Sequence, residues 1–280
     1  MTDVQIVTVS YRSGEALAGF LATLPDASAT PVETVVVDNA TEDGFAERWE
    51  SPGVTVFSPG ANLGYGGAVN AGVAAVPSRS EWVLVANPDL RWSPGSIDAM
   101  VAAGADPGIG VVGPLILTPE GDVYPSARRL PSLRTGIGHA LLAPVWPDNP
   151  WSRRYRADRD PEPRRRDAGW LSGSCLLVRR SVFEVVGGFD EKFFMYFEDV
   201  DLCARIGAAG WRVVYDPSAS VTHAGGHATR SSSGVMIREH HRSAYRYLAA
   251  KYHAWYLWPL RVALRVGLSV RGAIASRRSL

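Results

Sequence analysis

The sequence predicts an α/β domain whose central sheet is mostly parallel and doubly wound. Three observations carry that expectation. From Val4 to Gly104 short apolar runs alternate with segments of helical spacing, the order that strand–helix–strand units impose. The apolar runs end in Ser, Asp, Asn or Pro, the residues of turns at strand ends. Hydrophobic residues make up 46% of 280 positions, which supplies a core and excludes a disordered chain.

Taken in order, "VQIVTVSY" (4–11) reads as a buried strand and "SGEALAGFLATL" (13–24) as a helix with a Ser start. "ETVVVDNA" (33–40) and the shorter "VTVFSP" (54–59) read as strands. "GYGGAVNAGVAAV" (64–76) reads as a Gly-led helix, and "EWVLVANPD" (81–89) as a strand stopped by Pro88. "SPGSIDAMVAAG" (93–104) reads as a helix with Pro94 at its first position. Further on, "SCLLVRR" is a strand, "SVFEVVGGFD" a short helix and turn, "EDVDLCARIGAAG" a helix and "WRVVYDPSASVTH" a strand. Between them, "RRYRADRDPEPRRRD" (153–167) carries seven Arg, two Pro and four acids. It reads as a solvated loop, with an approach surface for phosphate as the alternative. No internal repeat is present.

The charge is uneven. From Ala228 onward there are ten Lys or Arg and one acid, Glu239, so the tail is +9 while residues 1–227 are −8. An anionic partner for the tail follows, such as a membrane surface or nucleic acid. Within it, "WYLWPLRVALRVGLSVRGAIASRR" (255–278) sets Arg261 and Arg265 apart from Leu257, Leu260, Leu264 and Leu268. That pattern predicts an interfacial helix with Trp255 and Trp258 at the lipid boundary. A helix packed on the core and a homodimer surface are the alternatives. No nucleic-acid motif accompanies the basic tail. Cys175 and Cys203 have no metal-like spacing and read as free thiols. The first residues lack a signal pattern and no run is long enough to span a bilayer. The expected location is cytoplasmic, peripheral on the inner face of the cell membrane.

In parallel sheets ligands bind beyond the carboxyl ends of the strands. Those ends carry Ser10 and Tyr11, Asp38 and Asn39, Asn62, and Asn87 and Asp89. Asp38 either accepts a hydrogen bond from a nucleobase or caps the next turn. "NLGYGGAVNAG" (62–72), with Gly64, Gly67 and Asn70, leads into a helix whose free N–H groups favour phosphate; packing by the glycines is the alternative. It is neither a P-loop nor GxGxxG. Asp89 in "ANPDL" suits a divalent cation shared with phosphate, or else an Asn-Pro-Asp turn. His223 ends a strand and is a candidate companion for Asp89.

"FFMYFEDVDLCAR" (193–205) sets Glu198, Asp199 and Asp201 among aromatic residues. Acids in a first helical turn suit the helix dipole. The aromatic surroundings add a second expectation: apolar walls raise a carboxyl pKa toward that of a general base.

"VTVSY", "VVVDNAT", "NLGYGGAVNAG", "ANPDL", "LSGSCLLVRR", "GGFDEKFFMYFEDVDLCAR" and "VTHAGG", in this order, resemble the inverting GT-A glycosyltransferases of family 2, in the rhamnosyltransferase branch. The resemblance spans roughly residues 4 to 250. It implies a Rossmann-like catalytic domain over 1–227, with a nucleotide-binding half to about 110 and an acceptor-binding half beyond, and a basic helical tail over 228–280. It implies a nucleotide-sugar donor, dTDP-L-rhamnose, and a lipid-linked acceptor, polyprenyl-diphosphate GlcNAc, in cell-wall or polysaccharide synthesis. By resemblance Asp38 reads the base, and Thr8, Ser10 and Tyr11 line the nucleotide pocket. Asn87-Pro88-Asp89 stands where the family has Asp-x-Asp, with the first Asp replaced. Asp89 and His223 are then the ligands of Mg²⁺ or Mn²⁺, Asp199 the catalytic base, and Glu198 and Asp201 helpers or acceptor contacts. The replaced Asp keeps one alternative open, a non-catalytic module that binds nucleotide-sugar or glycan on the same scaffold.

Overall fold

A computed structural model describes residues 4–133, 163–224 and 233–278. The first half runs β1 (Val4–Ser10), α1 (Gly14–Thr23), β2 (Glu33–Asp38), α2 (Phe45–Trp49), β3 (Val54–Phe57), α3 (Gly64–Ala75), β4 (Trp82–Ala86), β5 (Leu90–Trp92), α4 (Ser96–Ala103) and β6 (Ile109–Leu117). The second half runs β7 (Val123–Tyr124), β8 (Ala127–Arg128), β9 (Arg166–Asp167), β10 (Trp170–Leu171), β11 (Cys175–Arg179), α5 (Arg180–Val186), α6 (Glu198–Ala208), β12 (Arg212–His223), α7 (Ser233–Lys251) and α8 (Trp258–Arg278).

The main sheet has the order β3-β2-β1-β4-β11-β6-β12-β5. β1, β2, β3 and β4 pair in parallel, as do β6 and β12. β11 runs antiparallel to both β4 and β6, and β5 antiparallel to β12. The sheet is therefore mixed. Side chains alternate along β1 as the pleat requires: Val4 and Ile6 join one core, Val7 and Val9 the other. Leu17, Phe20, Ile97 and Met100 of α1 and α4 complete the first core. Val69 of α3, Phe183 of α5 and Leu202 of α6 complete the second. Helices on both faces are the doubly wound arrangement expected from the sequence.

Three local expectations change. α4 begins at Ser96, after Gly95 in the left-handed region at φ +68°, so Pro94 lies in the preceding turn. β6 was not anticipated. It contains Pro114, which pairs opposite Asp216 at a register shift in β12, where a missing N–H is tolerated. Of the Arg-rich segment, residues 153–162 lie outside the described residues. Its end is anchored: Arg165 pairs with Asp216 at 2.7 Å, and Arg166 stacks on Tyr215 at 5.0 Å. Cys175 and Cys203 are both buried and free.

The boundary expected at 227/228 also lies outside the described residues. Beyond it, α7 and α8 form an antiparallel hairpin, with Gly234 beside Ser276 and Gly272 beside His241. The leucine row 257, 260, 264 and 268 is half-buried as α8 packs along α7, not turned toward lipid as expected. The exposed apolar residues are instead Trp255, Tyr256, Trp258, Val262, Val266 and Val270. Arg261 folds back to donate to the carbonyls of Tyr252 and Ala254 at 3.1 and 2.8 Å. α7 joins the rest of the fold through Tyr247, clustered with Phe193 and Val200. Among the described residues no helix is long and apolar enough to cross a membrane.

Candidate active site

At the ends of β1 and β2 the polar side chains are engaged with the fold. Asp38 accepts from the N–H groups of Ala40 at 3.1 Å and Glu42 at 2.8 Å, and from the Ser58 hydroxyl at 3.4 Å. It caps its turn, and a carboxylate's remaining lone-pair positions are what a base N–H could reach. Asn39 donates to Asn62 Oδ1 at 3.0 Å and to the Gly64 carbonyl at 3.3 Å, and accepts from Leu63 N–H at 2.9 Å. Ser10 is buried and Tyr11 exposed at the rim. Thr8 is fully buried, with no partner for its hydroxyl among the described residues.

The entry to α3 is not an open phosphate cradle. Gly64 N–H donates to Asn62 Oδ1 at 3.0 Å, and Tyr65 N–H to the Phe194 carbonyl at 3.0 Å. With the bond from Leu63 to Asn39, three N–H groups expected to be free are satisfied internally. Gly64 sits at φ +73°, and a Cβ there would lie 2.2 Å from the Phe194 carbonyl oxygen. Glycine is required by conformation and by space, and the packing alternative holds. Gly67 packs against Leu63. Asn70, expected at the nucleotide, instead clamps the backbone of Phe189: its amide donates to the carbonyl at 2.9 Å and accepts from the N–H at 2.9 Å.

The end of β4 and the end of β12 meet. His223 pairs with Leu90 across the β12–β5 ladder, which brings its ring to Asp89. Nε2 lies 2.9 Å from Asp89 Oδ1 and 3.2 Å from Asn87 Nδ2. In either tautomer this one nitrogen satisfies only one of those neighbours, the carboxylate asking for a donor and the amide for an acceptor.

Asp199 is reached from the same place. Asn87 N–H donates to the Ser174 carbonyl at 2.9 Å, and its Nδ2 reaches Ser174 Oγ at 3.5 Å. The adjacent Gly173 N–H donates to Asp199 Oδ2 at 2.8 Å, while Val200 N–H holds Oδ1 at 2.8 Å. A Cβ at Gly173 would crowd Asp199 Cβ at 3.2 Å. Ser172-Gly173-Ser174 thus links the Asp89–His223 pair to Asp199. Sequence reasoning assigned it no role; its signal was three small residues ahead of a buried strand.

Tyr65 was also missed. Its hydroxyl donates to the Gly173 carbonyl at 2.8 Å. Burial raises its pKa well above the ordinary phenol value, and the charges of Glu198, Asp199, Cys175 and Asp89 add to the rise. The phenol thus senses Asp89 and, of the acids of α6, Glu198 and Asp199.

The carboxylates of α6 follow two strained residues. Tyr196 and Phe197 have φ of +67° and +68°, each costing about 1–3 kcal/mol. Their rings pack on His240 of α7 at 5.4 and 5.5 Å, which holds them there. Burial raises the pKa of Asp199, opposed by the N–H groups of Gly173 and Val200 and by the charge of Arg128. Burial, then the neighbouring Asp199, pushes Glu198 up to about 8. Glu198 Oε2 is buried without a partner among the described residues. Asp201 turns away: it accepts from Arg205 Nε at 2.7 Å as an ion pair within α6.

The chain matches the family described as Glycosyl transferase family 2 over residues 5–187. It is 49% identical over 293 aligned residues to N-acetylglucosaminyl-diphospho-decaprenol L-rhamnosyltransferase of Mycobacterium tuberculosis (strain ATCC 25618 / H37Rv), covering 100% of this chain and 95% of that protein. It is 46% identical over 82 residues to Rhamnosyltransferase WbbL of Escherichia coli (strain K12), covering 29% of this chain and 31% of that one. Among solved structures, Mannosyltransferase PcManGT from Pyrobaculum calidifontis in complex with GDP-Man and Mn²⁺ aligns with a TM-score of 0.60 at 16% identity, covering 99% of this chain and 72% of that chain. At such identity the likeness shows the fold alone, a GT-A-like α/β domain. The family match covers more than half of the chain and the mycobacterial relative aligns over all of it, so this chain belongs to glycosyl transferase family 2.

Proposed function

We propose that the chain is an inverting L-rhamnosyltransferase that takes the sugar from dTDP-L-rhamnose and adds it to a GlcNAc carried on a polyprenyl diphosphate. The observation that carries this reading is the 49% identity to the mycobacterial enzyme over the full length of the chain. The juxtaposition of Asp89, His223 and Asp199 supports it.

Asp199 takes the proton of the acceptor hydroxyl as that oxygen attacks the anomeric carbon. The bond from that carbon to the donor diphosphate breaks, and a single displacement inverts its configuration. Gly173 and Val200 hold the Asp199 carboxylate in place. Asn87 and Ser174 fix the spacing between the base and the Asp89–His223 pair.

Asp89 and His223 would hold Mg²⁺ or Mn²⁺. A carboxylate oxygen and an imidazole nitrogen suit either ion. A cation also removes the conflict at Nε2, because both lone pairs can turn toward it. Among the described residues no third acid, His or Cys joins them, so the remaining ligands would have to come from oxygens of the bound donor or solvent. Held by Asp89 and His223, such an ion would supply charge neutralisation for the leaving diphosphate.

The test is transfer by the purified chain from dTDP-L-rhamnose to a synthetic GlcNAc-diphosphoryl-lipid, followed by mass spectrometry. One added deoxyhexose is expected, lost with chelator and restored by Mg²⁺ or Mn²⁺. Donor hydrolysis without transfer would overturn the reading.

A lipid-linked acceptor asks for a peripheral membrane enzyme. At about 100° per residue, Trp258, Val262, Val266 and Val270 form an arc opposite the leucine row, with Arg265 at its edge. That arc, with Trp255 and Tyr256 beside it and a +9 tail behind it, is the face suited to an anionic leaflet. Val262→Ser combined with Val266→Ser should lower binding to phosphatidylcholine–phosphatidylglycerol vesicles roughly tenfold. Unchanged vesicle binding with loss of a dimer in light scattering would give the face to a second copy.

A further inference from the structure

β8 and β10 form a two-stranded ribbon beside the site, with Arg128 opposite Trp170 and Ala127 opposite Leu171. Gly169 N–H donates to the Arg128 carbonyl at 2.8 Å, and Ser172 N–H to the Ser126 carbonyl at 2.8 Å. The ribbon is tight, since a Cβ at Gly169 would lie 2.3 Å from Leu130 N. It runs directly into Gly173, whose N–H holds Asp199. Two residues, Leu171 and Ser172, separate Trp170 from Gly173, a path of at most about 10 Å.

Arg128 is half-buried and propped between two rings, 5.9 Å from Tyr124 and 5.5 Å from Trp170. Its Nε donates to the Pro125 carbonyl at 2.8 Å, which orients the fork. Its two terminal nitrogens make no hydrogen bond or ion pair with the described residues. Its charge nonetheless reaches Asp199, where it opposes the rise of the carboxyl pKa. A guanidinium oriented by its Nε bond and two rings, its terminal nitrogens unbonded among the described residues, suits the oxygens of a phosphate or diphosphate.

We propose that Arg128 binds the diphosphate of the lipid-linked acceptor, clamping it at its anionic link while Asp199 faces a hydroxyl of the attached sugar. This rests on the acceptor class proposed above. The donor's diphosphate is assigned to the Asp89–His223 pair, so the two anionic groups are held at separate places.

Calorimetry without donor tests the subsite directly, using a GlcNAc-α-diphosphoryl-alkyl compound and the neutral alkyl glycoside of GlcNAc. The unaltered chain should bind the diphosphate compound at least about tenfold more tightly. Arg128→Gln should bind both alike, and Arg128→Lys, which keeps the charge, should recover part of the preference. Melting curves of both variants establish that they fold. In turnover, Arg128→Gln should raise the acceptor KM about tenfold and leave the donor KM unchanged. Equal binding of both compounds by the unaltered chain would overturn the proposal. So would a rise in donor KM, or a fall in kcat alone with the acid limb of the pH profile moved upward, which assigns Arg128 to Asp199. Selective binding of the diphosphate compound without rhamnosyl transfer would remove the proposed activity and leave the subsite standing.

Discussion

The polar residues at the β2–α3 end, from buried Asp38 and Asn39 to exposed Asn62, and those at the β4–β12–α6 end, from buried Asp89 and Glu198 to half-buried His223, are differently employed. Asp38, Asn39, Asn62 and Asn70 give their hydrogen-bonding capacity to turns and clamps. Glu198 has an unmet demand among the described residues, and His223 Nε2 faces the conflicting demands of Asp89 and Asn87. Buried polar groups stabilise when fully paired and cost free energy when they are not. The first cluster is therefore spent on holding the fold, and the second retains capacity for the ligand and proton of the proposed reaction.

The largest effect expected from this contrast is at Asp199. Asp199→Asn should lower turnover roughly thousandfold while calorimetry shows donor binding within about twofold. Normal turnover would remove Asp199 from the catalytic role. His223→Ala should come next, with turnover down roughly a hundredfold, equivalent to about 2.7 kcal/mol. It should also need more Mn²⁺ to reach half its maximum, and an unchanged Mn²⁺ titration would dissociate His223 from the ion.

Asn70→Ala should act on stability instead. Loss of its clamp on Phe189 should lower unfolding free energy by about 2 kcal/mol in urea melts, with kcat within a few-fold. A large loss of activity at full stability would put Asn70 in the donor pocket after all.

The smallest effect concerns Glu198 and pH. Its carboxyl is raised from 4.5 to about 8 in the fold, so the neutral form is the favoured one. The stability this confers is complete below the unfolded value and is lost as pH rises through about 8. The melting temperature should fall by a few degrees between about pH 5 and 8.5, and Glu198→Gln should flatten that fall. A fall of equal size in the Gln variant would mean that other groups set the slope.

The parallel core was legible because Val-rich runs and helical segments alternate up to Gly104. Strand direction was not: β11 is as apolar as β1, and nothing in "SCLLVRR" distinguishes an antiparallel strand from a parallel one. The motifs led to Asp89, His223 and Asp199, residue types with few structural uses in such settings. They also led to Asn70 and Asp201, which look the same in a string but meet Phe189 and Arg205 in space. Gly173 and Arg128 escaped notice because one acts through its backbone and the other is placed in part by Trp170, more than forty positions away. In α8 the 3.6-residue period correctly gave two faces, but which face α7 covers depends on tertiary packing.

β12 lies inside the sheet between β6 and β5, and its last residue supplies the imidazole that meets Asp89. During synthesis, Asp89 leaves the ribosome long before residue 223 does. A nascent chain that has made only its N-terminal half has β1 to β6 but lacks His223 and α6. In the proposed function the reactive centre is therefore completed only when a late strand slots between two early ones.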